Sequence, residues 1–187
     1  MSKTLDELDV RIIKALSEDC RKSTTEVARE TQTSRPTATA RIKELAENQI
    51  VDFGAKVNIS KLGFKLVTIH FEIDASQKEE QIIKMLRACP RVLQLVQLVG
   101  MPNYTALIYV ENSDTLLSSI ECLQSVLKAK IISYQRVLPL VGESFSLKII
   151  LGKCEKTPCG KECGLCLAYK QNECIGCPST KDYRGPI

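Results

Sequence analysis

The sequence predicts an α+β chain in three parts, and three observations carry that reading. Apolar residues recur at helical spacing from Leu5 to Leu45. Between Phe64 and Leu138 strand-like alternation exchanges with helical spacing in the order βαββαβ. Six of the nine cysteines then crowd into the last 34 residues, as Cys154, Cys159, Cys163, Cys166, Cys174 and Cys177. With 187 residues and 44% hydrophobic content the chain can build its cores without disulfides. The parts are bounded at 1–60, 61–150 and 151–187.

In the first part Thr4 and Glu7 have the spacing of a capping box, opening a helix whose apolar face is Leu5, Leu8, Ile12, Ile13 and Leu16. Ser23-Thr24-Thr25-Glu26 repeats that signature before a short second helix ending near Thr31, and Gln32-Thr33 makes the turn. Ser34 is a good N-cap for a third helix, with Pro36 tolerated in its first turn. Ala38, Ile42 and Leu45 face inward at i, i+4 and i+7. The opposite face carries Arg35, Thr37, Ala40 and Lys43, with Thr39 and Arg41 at its edges.

The net charge of +4 is mild, but residues 34–43 hold Arg35, Arg41 and Lys43 with no acidic residue. A cationic face of short side chains suits the major groove, where Arg reads guanine and Thr or Ala meets thymine methyls. Residues expected to face double-stranded DNA are Thr24, Thr25, Ser34, Arg35, Pro36, Thr37, Thr39, Ala40, Arg41 and Lys43. A strand over 50–59 would form a wing, completing a winged helix-turn-helix. Spacing alone also allows a small three-helix bundle with a solvated basic face.

In the second part Val67, Ile69, Phe71 and Ile73 share one strand face. Ser76 caps a helix bearing Ile82, Ile83 and Leu86 that must stop near Pro90. Strands over 92–99 and 104–110 flank the tight turn Gly100-Met101-Pro102-Asn103. A helix from Ser113 carries Leu116, Ile120, Leu123 and Leu127, and a strand over 131–138 closes a ferredoxin-like unit. His70 is the single histidine and reads as a packed or surface residue rather than a ligand. Cys20, Cys89 and Cys122 read as small buried hydrophobes.

The run from Leu5 to Val51 resembles the N-terminal half of the leucine-responsive (Lrp/AsnC) regulator family. The resemblance rests on Leu5-Asp6-x-x-Asp9, Arg21-x-Ser23, Glu26-Val27-Ala28, Ser34, Arg41-Ile42 and Leu45. Gln32 stands where that family has the turn glycine. Asn48-Gln49 stands in place of the glycine after the third helix, and Asn48 is the residue expected in the left-handed conformation there. The βαββαβ order and the Gly-x-x-Asn hairpin resemble the family's second domain. This implies a homodimer or higher even-numbered oligomer and a small effector, such as an amino acid, at Gly100, Met101, Pro102, Asn103 and Tyr104. Family members usually end near residue 150, so the resemblance is silent about the tail. A tetrapyrrole enzyme like the sirohaem decarboxylases shares the two-domain plan and is the alternative. One histidine and a cationic recognition helix favour the regulator.

In the tail, Cys163-x2-Cys166 and Cys174-x2-Cys177 are two chelating pairs, each able to bring two thiolates to one ion. Zinc is the expected cofactor, with Cys159, Cys163, Cys166, Cys174 and Cys177 as candidate ligands. The Cys159-x3-Cys163-x2-Cys166 spacing also suits a [4Fe–4S] cluster, the alternative. Tyr169, Tyr183, Leu165, Leu167 and Ile175 offer a small core around it. There is no glycine-rich phosphate loop, no Gly-x-Ser-x-Gly and no apolar run long enough to span a bilayer. The opening MSKTLDELDV lacks a signal-peptide core, so a cytoplasmic protein with reduced thiols is expected.

Overall fold

The computed structural model describes residues 4–74, 79–138, 142, 144–150 and 153–187. The chain divides into two compact units, residues 1–55 and 56–187.

The first unit holds α1 (Glu7–Glu18), α2 (Thr24–Glu30) and α3 (Arg35–Glu47). Ile12, Ala15, Leu16, Val27 and Leu45 form its core, with Leu8, Ile13, Ile42 and Val51 packed against them. The capping box on α1 lies two residues later than expected. Asp6, not Thr4, accepts the Asp9 amide at 2.8 Å, and the Asp9 carboxylate accepts the Asp6 amide at 3.3 Å. A carboxylate caps as well as a hydroxyl and adds charge at the positive end of the helix. Ser23 and Glu26 form the box on α2 as expected, and Ser34 caps α3 through the Thr37 amide at 3.2 Å.

Both α2 and α3 end in the same way. After α2 the Gln32 amide donates to Arg29 O and the Thr33 amide to Ala28 O. After α3 the Gln49 amide donates to Ala46 O and the Ile50 amide to Leu45 O. These are the paired bonds of a Schellman motif, whose turning residue is left-handed and is usually glycine. Here glutamine fills it twice, with φ of 55° at Gln32 and 56° at Gln49. The expectation for Asn48 was one residue early, since Asn48 keeps a negative φ of −81°.

The expected ten-residue wing strand contracts to β1 (Val57–Asn58). Val51 turns back onto the helical core, and a strand persists only where it finds a partner. That partner is β6 (Ser144–Phe145), antiparallel to it.

The rest of the second unit is the predicted βαββαβ: β2 (Lys65–Glu72), α4 (Glu79–Ala88), β3 (Val92–Gln97), β4 (Tyr104–Val110), α5 (Ser113–Leu127) and β5 (Lys130–Val137). The sheet order is β3-β4-β2-β5, antiparallel throughout. Asn112 caps α5, while the expected α4 cap, Ser76, lies outside the described residues. Period-2 alternation sends Val67, Ile69, Phe71, Ala106 and Ile108 to the helix-covered face, where they meet Ile82, Leu86, Ile120, Leu123 and Leu127. The other face carries a smaller cluster, in which Phe64 stacks on Tyr109 at 4.9 Å. His70 is half-buried, its Nδ1 2.8 Å from Thr105 Oγ1.

A left-handed conformation costs a non-glycine residue roughly 1–2 kcal/mol, partly offset by the greater unfolded-state freedom of glycine. Gln32→Gly and Gln49→Gly should therefore each stabilise the helical unit by up to about 1 kcal/mol. The rise in midpoint would be read by chemical denaturation, and Gln32→Val should lower it.

Candidate nucleic-acid interface and cysteine cavity

The face predicted to meet DNA is built by α3 and its cap. Ala38 and Leu45 are fully buried and Ile42 packs beside them, which turns Arg35, Pro36, Thr37, Thr39, Ala40 and Lys43 outward as exposed residues. Ser34 Oγ lies 2.8 Å from Thr37 Oγ1, and the Thr39 hydroxyl donates to Arg35 O at 2.9 Å. These bonds fix the rotamers of the short side chains. Lys43 has a loose i,i+4 contact with Glu47 at 3.6 Å. On α2, Thr25 is exposed and Thr24 half-buried.

Arg41 stands differently. Its guanidinium is held by Asp6 at 2.8 Å and by the fully buried Asp9 at 3.2 Å, tying α3 to the start of α1. The Asp6 carboxyl is held below its ordinary value, first by the Asp9 backbone amide and also by Arg41. Arg41 thus ties α3 to the start of α1, a contact its place at the edge of the cationic face did not reveal.

At the β3–β4 hairpin Gly100 takes φ 110°, and Met101 is largely exposed. Asn103 accepts from the Ile73 amide at 3.0 Å and donates to the Ile73 carbonyl at 2.8 Å, so its amide locks the hairpin to the end of β2. Tyr104 is buried against Phe71 and its hydroxyl bonds Glu79. Burial first, and Glu79 second, push the Tyr104 phenol up to about 12.

The tail folds against the sheet domain. The Cys154 amide donates to Ser179 O at 2.8 Å, Cys163–Leu165 forms one 3₁₀ turn, and α6 (Leu167–Lys170) follows it. Gly176, inside the second Cys-x-x-Cys, has φ 88°, and a Cβ there would lie 2.8 Å from Asp182 O. The expected local core is only partly present. Leu165 and Leu167 are 71% and 67% exposed, whereas Tyr183 is buried. Tyr183 reaches into the sheet domain instead, donating to Glu111 at 2.6 Å. Glu111 is paired with Arg91 at 2.9 Å, both nearly buried, and Arg91 also donates to Gly176 O at 2.9 Å.

Between the tail and helices α4 and α5 lies a cavity of about 160 Å³. All five tail cysteines expected to bind metal line it, as do Cys89 and Cys122 of the sheet domain. Sequence reasoning missed the last two. They carry no motif spacing, and both are half-buried rather than core residues, while Cys20 is exposed. Cys122 Sγ lies 3.3 Å from Cys159 Sγ. That bond, followed by Thr157 and the Lys161 amide, lowers the Cys159 thiol against the cost of burial, and it pushes Cys122 up. Among the described residues no three Cys, His, Asp or Glu side chains are gathered closely enough to hold an ion.

Glu111→Ala would strand the Arg91 guanidinium without a counter-charge, at a cost of about 3–5 kcal/mol. The expected outcome is a lower unfolding midpoint and faster tryptic cleavage at Lys153 and Lys156, read on a time course by mass spectrometry.

Residues 5–46 match the AsnC-type helix-turn-helix domain. The chain is 32% identical over 128 residues to the HTH-type transcriptional regulator Ptr1 of Methanocaldococcus jannaschii, covering 68% of this chain and 82% of that one. It is 29% identical over 117 residues to the regulator LrpA of Pyrococcus horikoshii, covering 62% and 83%. Two solved structures share its fold. The leucine response regulatory protein LrpA of Mycobacterium tuberculosis gives a TM-score of 0.68 at 18% identity, over 74% of this chain and 95% of that one. A transcriptional regulator of Neisseria meningitidis solved with L-Met gives 0.62 at 22%, over 78% and 97%. Among the described residues no helix is long and apolar enough to cross a membrane. The relatives are regulators rather than enzymes, which sets aside the decarboxylase alternative. With its helix-turn-helix, its βαββαβ sheet and these relatives, the chain belongs to the Lrp/AsnC family of DNA-binding transcriptional regulators.

Proposed function

We propose that this regulator reads specific double-stranded DNA in the cytoplasm as a homodimer or higher even-numbered oligomer, laying α3 in successive major grooves. The observation that carries the reading is the outward face of α3, where Arg35, Thr37, Ala40 and Lys43 are exposed on a helix anchored by Ala38 and Leu45. Exposed apolar side chains at Ile132, Tyr134 and Leu138 on and after β5, and at Val99 and Met101 in the hairpin, support self-association. The L-Met complex of the Neisseria regulator supports an amino-acid effector near residues 100–104. Since the Asn103 amide is engaged with Ile73, the hairpin backbone is the natural contact for such a ligand. The tail adds a metal site made of thiolates, zinc or a [4Fe–4S] cluster, drawn from Cys159, Cys163, Cys166, Cys174 and Cys177. Effector or metal then biases one assembly over another and so alters DNA affinity.

The test is Arg35→Ala combined with Lys43→Ala. Affinity for the operator at fixed salt should fall roughly 10- to 100-fold, and the slope of log affinity against log salt should shrink by about 1 to 2. Oligomer size by light scattering should stay the same. An unchanged affinity would mean that α3 is not the reading helix.

A further inference from the structure

The cavity between the tail and the sheet domain differs from a zinc site in scale. Zinc holds thiolates at about 2.3 Å, which draws four sulfurs into mutual contact. Among the described residues no three potential ligands are so gathered. Seven thiols instead line a space of about 160 Å³, far larger than an ion needs, two of them from the sheet domain and five from the tail.

The wall carries a second, independent signal. Among the described residues, Arg91 Nε and Thr115 Oγ1 are buried with no hydrogen-bond partner, and both residues line the cavity. Arg91 is 7% exposed and Thr115 is 1% exposed, so water does not readily satisfy them. Hydroxyls also stand beside three of the tail sulfurs. Thr157 Oγ1 is 3.0 Å from Cys159 Sγ, Ser179 Oγ is 3.1 Å from Cys177 Sγ, and Thr180 Oγ1 is 3.6 Å from Cys163 Sγ.

We propose that this cavity holds an iron–sulfur cluster shared between the tail and the sheet domain, with Cys122 and Cys89 forming part of its binding wall. The proposal rests on the reading of the tail as a thiolate metal site and names the class and position of that site. A cluster is an object of cavity size, and its thiolate ligands stand well apart. The Cys159-x3-Cys163-x2-Cys166 turn and Cys177 supply tail ligands. Cys122 lies 3.3 Å from Cys159, so either sulfur can take the single thiolate position of the same iron. Cluster sulfides accept hydrogen bonds, which gives Arg91 Nε and Thr115 Oγ1 the partner they lack. A cluster with four thiolates is anionic, and Lys161 on the wall supplies opposite charge, while Arg91, paired with Glu111, offers a hydrogen-bond donor. Leu86, Ile108, Leu123 and Leu127 keep water away. Because α5 forms one side of the cavity and also covers the sheet, the cluster lies against the domain that assembles the regulator.

The experiment uses the full chain purified without oxygen, with iron, zinc and acid-labile sulfide measured alongside the absorption spectrum. The expected result is about four irons and four sulfides per chain with a band at about 400 nm. Cys122→Ser and Cys89→Ser should each lower the iron content or shift that band, while Cys20→Ser leaves both unchanged. The far-ultraviolet circular dichroism spectrum confirms that each variant folds. In unmutated protein, stripping iron with a chelator should speed alkylation of Cys122 at least tenfold, a readout that needs no variant. Zinc without iron would overturn the cluster while keeping the metal tail. Iron unaffected by both serine variants, with Cys122 labelling unchanged, would place the cluster in the tail alone and overturn the shared cavity. No metal of either kind would overturn the metal reading itself.

Discussion

The docking of the tail on the sheet domain turns on one buried ion pair. Arg91 follows the end of α4 and Glu111 follows β4, so both belong to the sheet domain. Taking two charges out of water costs several kcal/mol per ion, recovered only if every remaining donor and acceptor finds a partner. The tail supplies those partners. Tyr183 donates its hydroxyl to Glu111, and Gly176 offers its carbonyl to Arg91. The guanidinium also lies 5.8 Å from the Tyr183 ring centre, within cation–π range. The Glu111 carboxylate and one guanidinium nitrogen thus gain these partners only with the tail in place, and the cysteines arrive at the cavity as a result. A segment with two of its leucines in water could not have folded on its own apolar content.

Most of the fold was legible because periodicity and caps are local. Ser23, Ser34, the inward row of α3 and the whole βαββαβ order follow from residues within a few positions of one another. The misses were of another kind. Thr4 and Asp6 both have a plausible capping partner three residues on, and the sequence alone does not say which wins. The wing over 50–59 alternates correctly but lacks a partner except at β6, almost ninety positions downstream. Arg41 looked like part of the cationic face because its partners, Asp6 and Asp9, lie in a different helix.

The cysteines show the same limit more sharply. Those in the tail announce themselves through spacing, since two thiolates two residues apart already make a chelate. Cys89 and Cys122 have no such signature, and only the docking of the tail brings them to the same cavity. The ion pair of Arg91 and Glu111 was equally silent, its members separated by two strands.

The small ladder between β1 and β6 joins two lengths of backbone of opposite destiny. One leads back to the helix-turn-helix, which ends at residue 55, and the other leads on to the tail. Only two residues on each side hold them together. Such a clasp has little cooperativity and few buried contacts, so it opens far more cheaply than the four-stranded sheet beside it. Fraying of the second unit therefore begins at this clasp and not in the four-stranded sheet.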